Sequence, residues 1–212
     1  MSIASDARFW DRTSRKYARS RIADPNGYER TLERTRAHLR PGDSVLELGC
    51  GTGTTALRLA DGTRSYLATD ISGGMIAIAE QKLAGEPIPS LSFRTATAEE
   101  LVREEGRFDA VLGFNYLHLV RNVPETLRSI HALLKPGGLF ISKTPCLGDM
   151  NPLIPLLLLP VMRAIGMAPH VSSFGTPALE RQIVDAGFDV LVREGHASKG
   201  RDQRPYIVAR KL

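Results

Sequence analysis

The sequence predicts an α/β fold, and three observations carry that prediction. Val45–Leu48 is an apolar run with a β-branched start, which reads as a strand buried on both faces. Three glycines follow at alternate positions, Gly49, Gly51 and Gly53, and Thr54–Leu59 then returns to a helical pattern. A second strand, Ser65–Thr69, ends at Asp70, 17 residues past Gly53. Strand, glycine turn and helix together let a ligand touch the main chain, because glycine permits positive φ and has no Cβ. The free N–H groups at the helix start favour a negative group.

The elements follow in order. Phe9, Trp10 and Tyr17 stand in an N-terminal arm rich in Arg and Ser, where aromatic side chains dock an arm onto the body of a protein. Asp24-Pro25-Asn26-Gly27 reads as a turn. Tyr28, Leu32, Thr35 and Leu39 recur at helical spacing, and Pro41-Gly42 ends that helix. Asp70 suits two tasks. Ionised, its carboxylate offers only acceptors and fits the two hydroxyls of a ribose; at the head of a helix over 73–83 it serves as the N-cap. Leu91–Thr95 is a short third strand and Phe108–Phe114 a fourth.

Beyond the fourth strand stands His118, whose side chain takes a proton at neutral pH and so is a candidate general base; a buried histidine at a helix start is the alternative. Leu127, Ile130, Leu133 and Leu134 give an amphipathic helix, which Lys135-Pro136-Gly137-Gly138 terminates with turn chemistry before a fifth strand, Leu139–Ser142. In the apolar stretch 152–168, Pro155 and Pro160 rule out one long helix. Such an insert covers an apolar substrate, touches a membrane surface, buries itself in a dimer or is plain core. Thr176-Pro177 starts a helix that Gly187 ends. Phe188–Val192 and Pro205–Ala209 are strands with no helix between them, which suggests a hairpin.

Composition bounds the rest. At 212 residues, 42% hydrophobic and 24% charged, the chain reads as one globular domain. Two cysteines, Cys50 and Cys146, form neither a disulfide framework nor a metal-ligand spacing, so a reduced, cytoplasmic setting and no metal are expected. No run of about 18 apolar residues predicts a transmembrane helix. The net charge is +5, and residues 1–40 hold ten basic against five acidic side chains, which equals the whole excess. The segment is a solvated helix face of mixed sign or a surface for nucleic acid, membrane or an acidic substrate.

These motifs resemble, in order and spacing, those of the class I S-adenosylmethionine-dependent methyltransferases. Glu47 to Gly53 matches the first motif, E/D-x-G-x-G-x-G; Asp70-Ile71-Ser72 with Met75 looks like the second; Phe108–His118 resembles the fourth; and Lys135–Gly138 is similar to the segment that leads into strand five. The resemblance covers about residues 28–210, and its motif style is that of ubiquinone and menaquinone methyltransferases of the small-molecule type. It implies a Rossmann-like three-layer sandwich with a seven-stranded, mostly parallel sheet of order 3-2-1-4-5-7-6 and an antiparallel last strand. It implies S-adenosylmethionine as cofactor, with S-adenosylhomocysteine as product. The arm would fold over it as a lid, with Tyr17 near its carboxylate. Glu47 would organise the loop and lie near the ammonium group, and Gly49, Cys50, Gly51 and Gly53 would make the motif's contacts. Asp70 would bind the ribose and Ile71, with Met75 behind it, would pack on the adenine. Thr97 stands where the family often has the Asp that meets the adenine amino group, with Ala98 beside it. Main-chain carbonyls around Phe114 and Asn115 would approach the ammonium group.

The resemblance divides the single domain into an arm (1–27), a cofactor-binding half (28–143) and a substrate-side insert with the final hairpin (144–212). The expected acceptor is a small, apolar molecule, in a monomer or homodimer that could touch a membrane peripherally. A nucleic-acid base is disfavoured, because Asn115-Tyr116-Leu117-His118 lacks the N/D-P-P-Y/F pattern of base-amine enzymes. Thr144-Pro145-Cys146 invites comparison with RNA 5-methylcytosine enzymes, but the Pro-Cys those carry after strand four is absent. RNA methylation and a non-catalytic cofactor-binding role are the alternatives.

Overall fold

A computed structural model describes residues 2–104, 106–149, 170–200 and 202–212. Seven strands form one sheet: β1 (Ser44–Leu48), β2 (Ser65–Asp70), β3 (Leu91–Thr95), β4 (Phe108–Phe114), β5 (Leu134–Lys143), β6 (Phe188–Glu194) and β7 (Tyr206–Lys211). Their order is β3-β2-β1-β4-β5-β7-β6, as expected. β1 pairs in parallel with β2 and β4, whereas β7 runs antiparallel to both its neighbours, so the final hairpin slots its second strand beside β5. The helices are α1 (Ile3–Ala18), α2 (Pro25–Arg36), α3 (Thr54–Leu59), α4 (Gly73–Gly85), α5 (Ala98–Leu101), α6 (Val123–Leu133) and α7 (Thr176–Asp185).

Alternate residues of the central strands feed two cores. Leu46, Leu48, Val111 and Phe140 pack beneath α5, α6 and α7. Val45, Ala110, Leu112 and Ile141 pack on the opposite face with Leu32 of α2, Ala56 and Leu59 of α3 and Ile76 of α4. A strand buried on both sides loses the polar alternation of a half-exposed one, which is why β1 and β4 read as continuous apolar runs.

Four local readings need correction, each for a hydrogen-bonding reason. Asp24–Gly27 is no free-standing turn: Asp24 is the N-cap of α2, its Oδ1 accepting from the Gly27 N–H at 3.0 Å, with Pro25 in the first turn. The arm boundary at 27/28 therefore falls inside a helix. Asp70 does not cap α4; Ser72 does, its Oγ accepting from Met75 N–H at 3.1 Å. Lys135–Gly138 lies within β5, whose Leu134 already pairs with Phe108. The turn chemistry is absorbed as a register shift between Phe108 and Ala110, with Gly137 at φ 73°. The N-cap of α7 is Gly175 rather than Thr176; the first-turn N–H and hydroxyl of Thr176 are held at 2.8 and 2.7 Å by Asp149 Oδ2, from the turn after β5.

The N-terminal arm is a four-turn helix. Asp11 of α1 accepts from Ser72 Oγ at 2.7 Å and from Gly74 N–H at 2.9 Å, which fastens α1 across the start of α4. No helix among the described residues is long and apolar enough to cross a membrane. The predicted insert 152–168 lies outside the described residues.

Candidate functional site

The C-terminal ends of β1, β2 and β4 open onto one cavity of about 530 Å³, roofed by α1. This is where open α/β sheets bind ligands. Of the residues singled out in the sequence, Tyr17, Gly49, Gly51, Asp70, Ile71, Met75, Thr97, Phe114, Asn115 and His118 line it. Glu47, Cys50, Gly53 and Ala98 do not.

The glycine turn explains both sets. Gly49, Gly51 and Gly53 have φ of 68°, 56° and 74°, a region that L side chains rarely adopt. A Cβ on Gly49 would stand 2.7 Å from the Tyr116 ring, and one on Gly51 would enter the space under Tyr17, 3.5 Å from its Cε1. Gly53 faces the other way, into Phe93 and Ala79. Cys50 is tied down by its N–H, which donates to Thr69 O at 2.9 Å, and its buried thiol is pushed up by desolvation. Glu47 is 2% exposed and receives the Tyr66 hydroxyl at 2.8 Å. Burial pushes its carboxyl up to about 8, so at neutral pH it holds a proton. Its place is under the loop, which it braces through β2.

Asp70 is the best-prepared group in the cavity. Its Oδ2 accepts from Gly51 N–H at 3.0 Å and its Oδ1 from Ser72 N–H at 2.9 Å. Burial raises its pKa, while these amides and that of Ile71 pull it back. Each carboxylate oxygen keeps acceptor capacity beyond those bonds. Two acceptors fixed at the edge of a glycine turn suit a vicinal diol.

At the end of β4, Asn115 takes φ 51°, the one described non-glycine residue in the left-handed region, and its N–H donates to Lys143 O at 2.7 Å. Asn tolerates that conformation better than most side chains. Strained backbone tends to collect at ligand sites, and this residue lines the cavity. Thr97 caps α5 in a reciprocal pair with Glu100, so its acceptor lone pairs are partly spent. The neighbouring Glu99, which the sequence reading passed over, lines the same wall and is held by Thr126 Oγ1 at 2.8 Å.

His118 follows in a 3-10 turn, Leu117–Leu119. Its ring Nδ1 lies 3.0 Å from Thr144 Oγ1, which also accepts the His118 main-chain N–H at 3.3 Å. Burial and the nearby Arg204 charge lower its pKa to about 4, so the ring is neutral at pH 7. That contact serves either ring tautomer: with Nδ1 accepting from the Thr144 hydroxyl the ring proton is on Nε2, and with Nδ1–H donating to Thr144 Oγ1 the Nε2 lone pair is free. In the first tautomer His118 is a donor toward the cavity, and in the second it can take a proton there. Cys146 is fully buried, with a thiol pushed up by desolvation, and is outside the cavity wall. It has the character of a packed small hydrophobe.

Residues the sequence reading missed come mainly from α1 and the turn before α6. Asp6 and Arg121 line the cavity and pair across it, with Arg121 Nε 2.9 Å and Nη2 2.7 Å from Asp6 Oδ2. Trp10 and Tyr17, the arm aromatics named from the sequence, both line the cavity and meet edge to face at 6.2 Å on the same helix. Asp6 is 7% exposed, so its removal strands a partly buried guanidinium. Asp6→Ala should therefore loosen α1: trypsin should cut at Arg8, Arg12, Arg15 or Lys16 several-fold faster in the variant. An unchanged digestion rate would show that Asp11 alone secures the helix.

Comparison with known proteins supports this reading. The Methyltransferase domain family matches residues 45–138, from the first strand through the turn in β5. Demethylmenaquinone methyltransferase of Symbiobacterium thermophilum is 30% identical over 178 residues, 81% of this chain and 66% of that protein. The reducing polyketide synthase grgA of a Penicillium species is 39% identical over 110 residues, 48% of this chain but only 4% of the synthase. Magnesium protoporphyrin IX methyltransferase from Synechocystis PCC 6803, solved with bound S-adenosylhomocysteine, shares the fold at a TM-score of 0.69 and 19% identity, covering 98% of this chain and 96% of that one. The chain thus spans about two thirds of the first relative and a small part of the second. With the four motifs in order, the 3-2-1-4-5-7-6 sheet and the family match, the chain belongs to the class I S-adenosylmethionine-dependent methyltransferases.

Proposed function

We propose that this protein transfers a methyl group from S-adenosylmethionine to a small, largely apolar acceptor held under α1. The observation that carries the reading is the Asp70 carboxylate, anchored by the Gly51 and Ser72 amides at the rim of a cavity that the glycine turn leaves open. The residues present fit the cofactor. About 530 Å³ is within the usual size of small-molecule sites, roughly 300–1,000 Å³. A Cβ at Gly51 would fill space that the turn keeps clear beneath Tyr17.

S-adenosylmethionine supplies a methyl group already activated on a positive sulfur and leaves as a neutral thioether. The protein's task is alignment and exclusion of water, worth roughly 7–11 kcal/mol when geometry is near attack. Asp70 takes the ribose hydroxyls; Ile71 and Met75 flank the adenine; Thr97 and Glu99 offer oxygen at its edge; Tyr17 and Trp10 close the roof. Ile3, Leu119 and Val120 supply apolar wall for the acceptor. The quinone and polyketide character of the named relatives accords with such a molecule. His118, as an Nε2 donor, holds an acceptor oxygen.

Incubation with methyl-labelled S-adenosylmethionine and a host extract tests the reading: label should appear in a solvent-extractable small molecule. Label confined to RNA or protein would overturn it. With the acceptor identified, His118→Ala should raise KM several-fold with a smaller change in kcat, and His118→Gln, which keeps a donor, should recover part of the loss. Wild-type kcat should stay level from pH 6 to 8, because the ring is already neutral there. A rate rising through pH 6–7 would show that the ring still carries a proton there.

A further inference from the structure

We propose that Arg204 anchors a carboxylate of the ligands bound in this cavity, either the amino-acid carboxylate of the cofactor or an acid group on the acceptor. The proposal rests on the methyl-transfer reading. Arg204 lines the cavity, yet its guanidinium makes no ion pair and no side-chain hydrogen bond among the described residues. The other arginine of the cavity, Arg121, is neutralised by Asp6. Its charge adds to burial in lowering the pKa of His118 and of Lys143.

The unpaired state is built into the chain. The loop's own acid, Asp202, is spent on main chain: Oδ1 takes the Arg204 N–H at 2.9 Å, and Oδ2 takes those of His196 and Ala197 at 2.6 and 2.9 Å. Pro205, which fixes φ, and Tyr206, the first residue of β7, are buried directly after it. Arg204 is itself exposed at the cavity wall, and the main chain that displays it is held by Asp202 on one side and by buried Pro205 on the other. The acids of the cavity lie elsewhere and are engaged, Asp70 by amides and Glu99 by Thr126. A planar guanidinium with no partner matches a carboxylate through two parallel bonds. His118 lines the same cavity.

Calorimetry on the full chain separates the two sources. Wild type and Arg204→Gln are titrated with S-adenosylhomocysteine and with 5′-methylthioadenosine, which keeps the adenosine and thioether but has no carboxylate. Salicylate is titrated into protein saturated with S-adenosylhomocysteine. Should the variant lose tenfold or more for S-adenosylhomocysteine and nothing for methylthioadenosine, Arg204 holds the cofactor's carboxylate. Should it keep both and lose salicylate tenfold, it holds the acceptor's acid. Arg204→Lys should fall between, since charge remains and the fork is gone. Unchanged S-adenosylhomocysteine binding, with salicylate bound equally by both proteins or by neither, overturns the proposal. So does a loss of equal size for S-adenosylhomocysteine and methylthioadenosine. Wild type that binds neither nucleoside overturns the methyl-transfer reading itself.

Discussion

Asp70→Ala should weaken S-adenosylhomocysteine binding at least tenfold, about 1.4 kcal/mol, and by up to a hundredfold. Hydrogen bonds to a charged group contribute about 1.5–3 kcal/mol each, and the carboxylate is positioned to accept two from a diol. Truncation also frees the Gly51 and Ser72 amides, which now end on Asp70 at 3.0 and 2.9 Å. Loss of the turn's shape and loss of the ribose contact are separable. The melting temperature of the unliganded variant reports the first, and the ligand-induced rise in melting temperature reports the second. Asp70→Asn is the sharper probe. Both Oδ atoms now accept a main-chain N–H, so whichever position takes the NH₂ turns one of those bonds into a donor–donor contact. Asn should therefore do no better than Ala, although it is nearly isosteric. Binding should also fall on acidification, starting above the ordinary aspartate range, because burial raises this pKa and the protonated acid loses an acceptor. Full affinity in Asp70→Ala would remove the residue from ribose recognition.

How much of this was legible in the sequence follows from what kind of physics sets each part. The central strands were readable because doubly buried strands are largely apolar: β4 falls where the residues placed it and β1 within one residue. The edge strand β3, mostly exposed, also falls where placed, with β2 within one residue. Lys135–Gly138 misled because glycine and proline mark an irregular backbone without saying whether it leaves the sheet. Here it stays in as a register shift. The cavity floor was legible too, since Gly49, Gly51, Asp70 and Asn115 sit in motifs of local spacing. Its roof and far wall were not. Asp6 meets Arg121 across 115 residues of chain, and Arg204 comes from the loop before the last strand. No local pattern encodes such pairings. Glu47 illustrates the opposite limit. Its motif position was read correctly, but burial beneath the loop beside Tyr66, which decides its protonation, is a property of the fold.

Gly53→Ala should cost about 2–5 kcal/mol of stability while leaving the folded fraction's cofactor affinity near wild type. Two costs add. An alanine at φ 74° loses roughly 1–2 kcal/mol in the left-handed region. Its Cβ would then lie 2.7–2.9 Å from the Phe93 ring and from Ala79 Cβ, an overpacking that typically costs about 1–3 kcal/mol. Gly62→Ala isolates the first: φ is 90° there, and a Cβ would meet nothing within 4 Å, so only the backbone penalty remains. Urea unfolding of the two variants should differ by the packing cost alone, and equal midpoints would show that Phe93 yields freely. The contrast with Gly51 is functional. A Cβ there points under Tyr17 rather than into the core, so Gly51→Ala should harm binding beyond its backbone cost, whereas Gly53→Ala should harm folding. The three glycines thus belong to different problems. Gly49 makes room for Tyr116, Gly51 keeps the space beneath Tyr17 clear, and Gly53 lets α3 start against β3 and α4. A motif that reads as one ligand-binding signature divides, once folded, into a half that touches the cavity and a half that holds it in place.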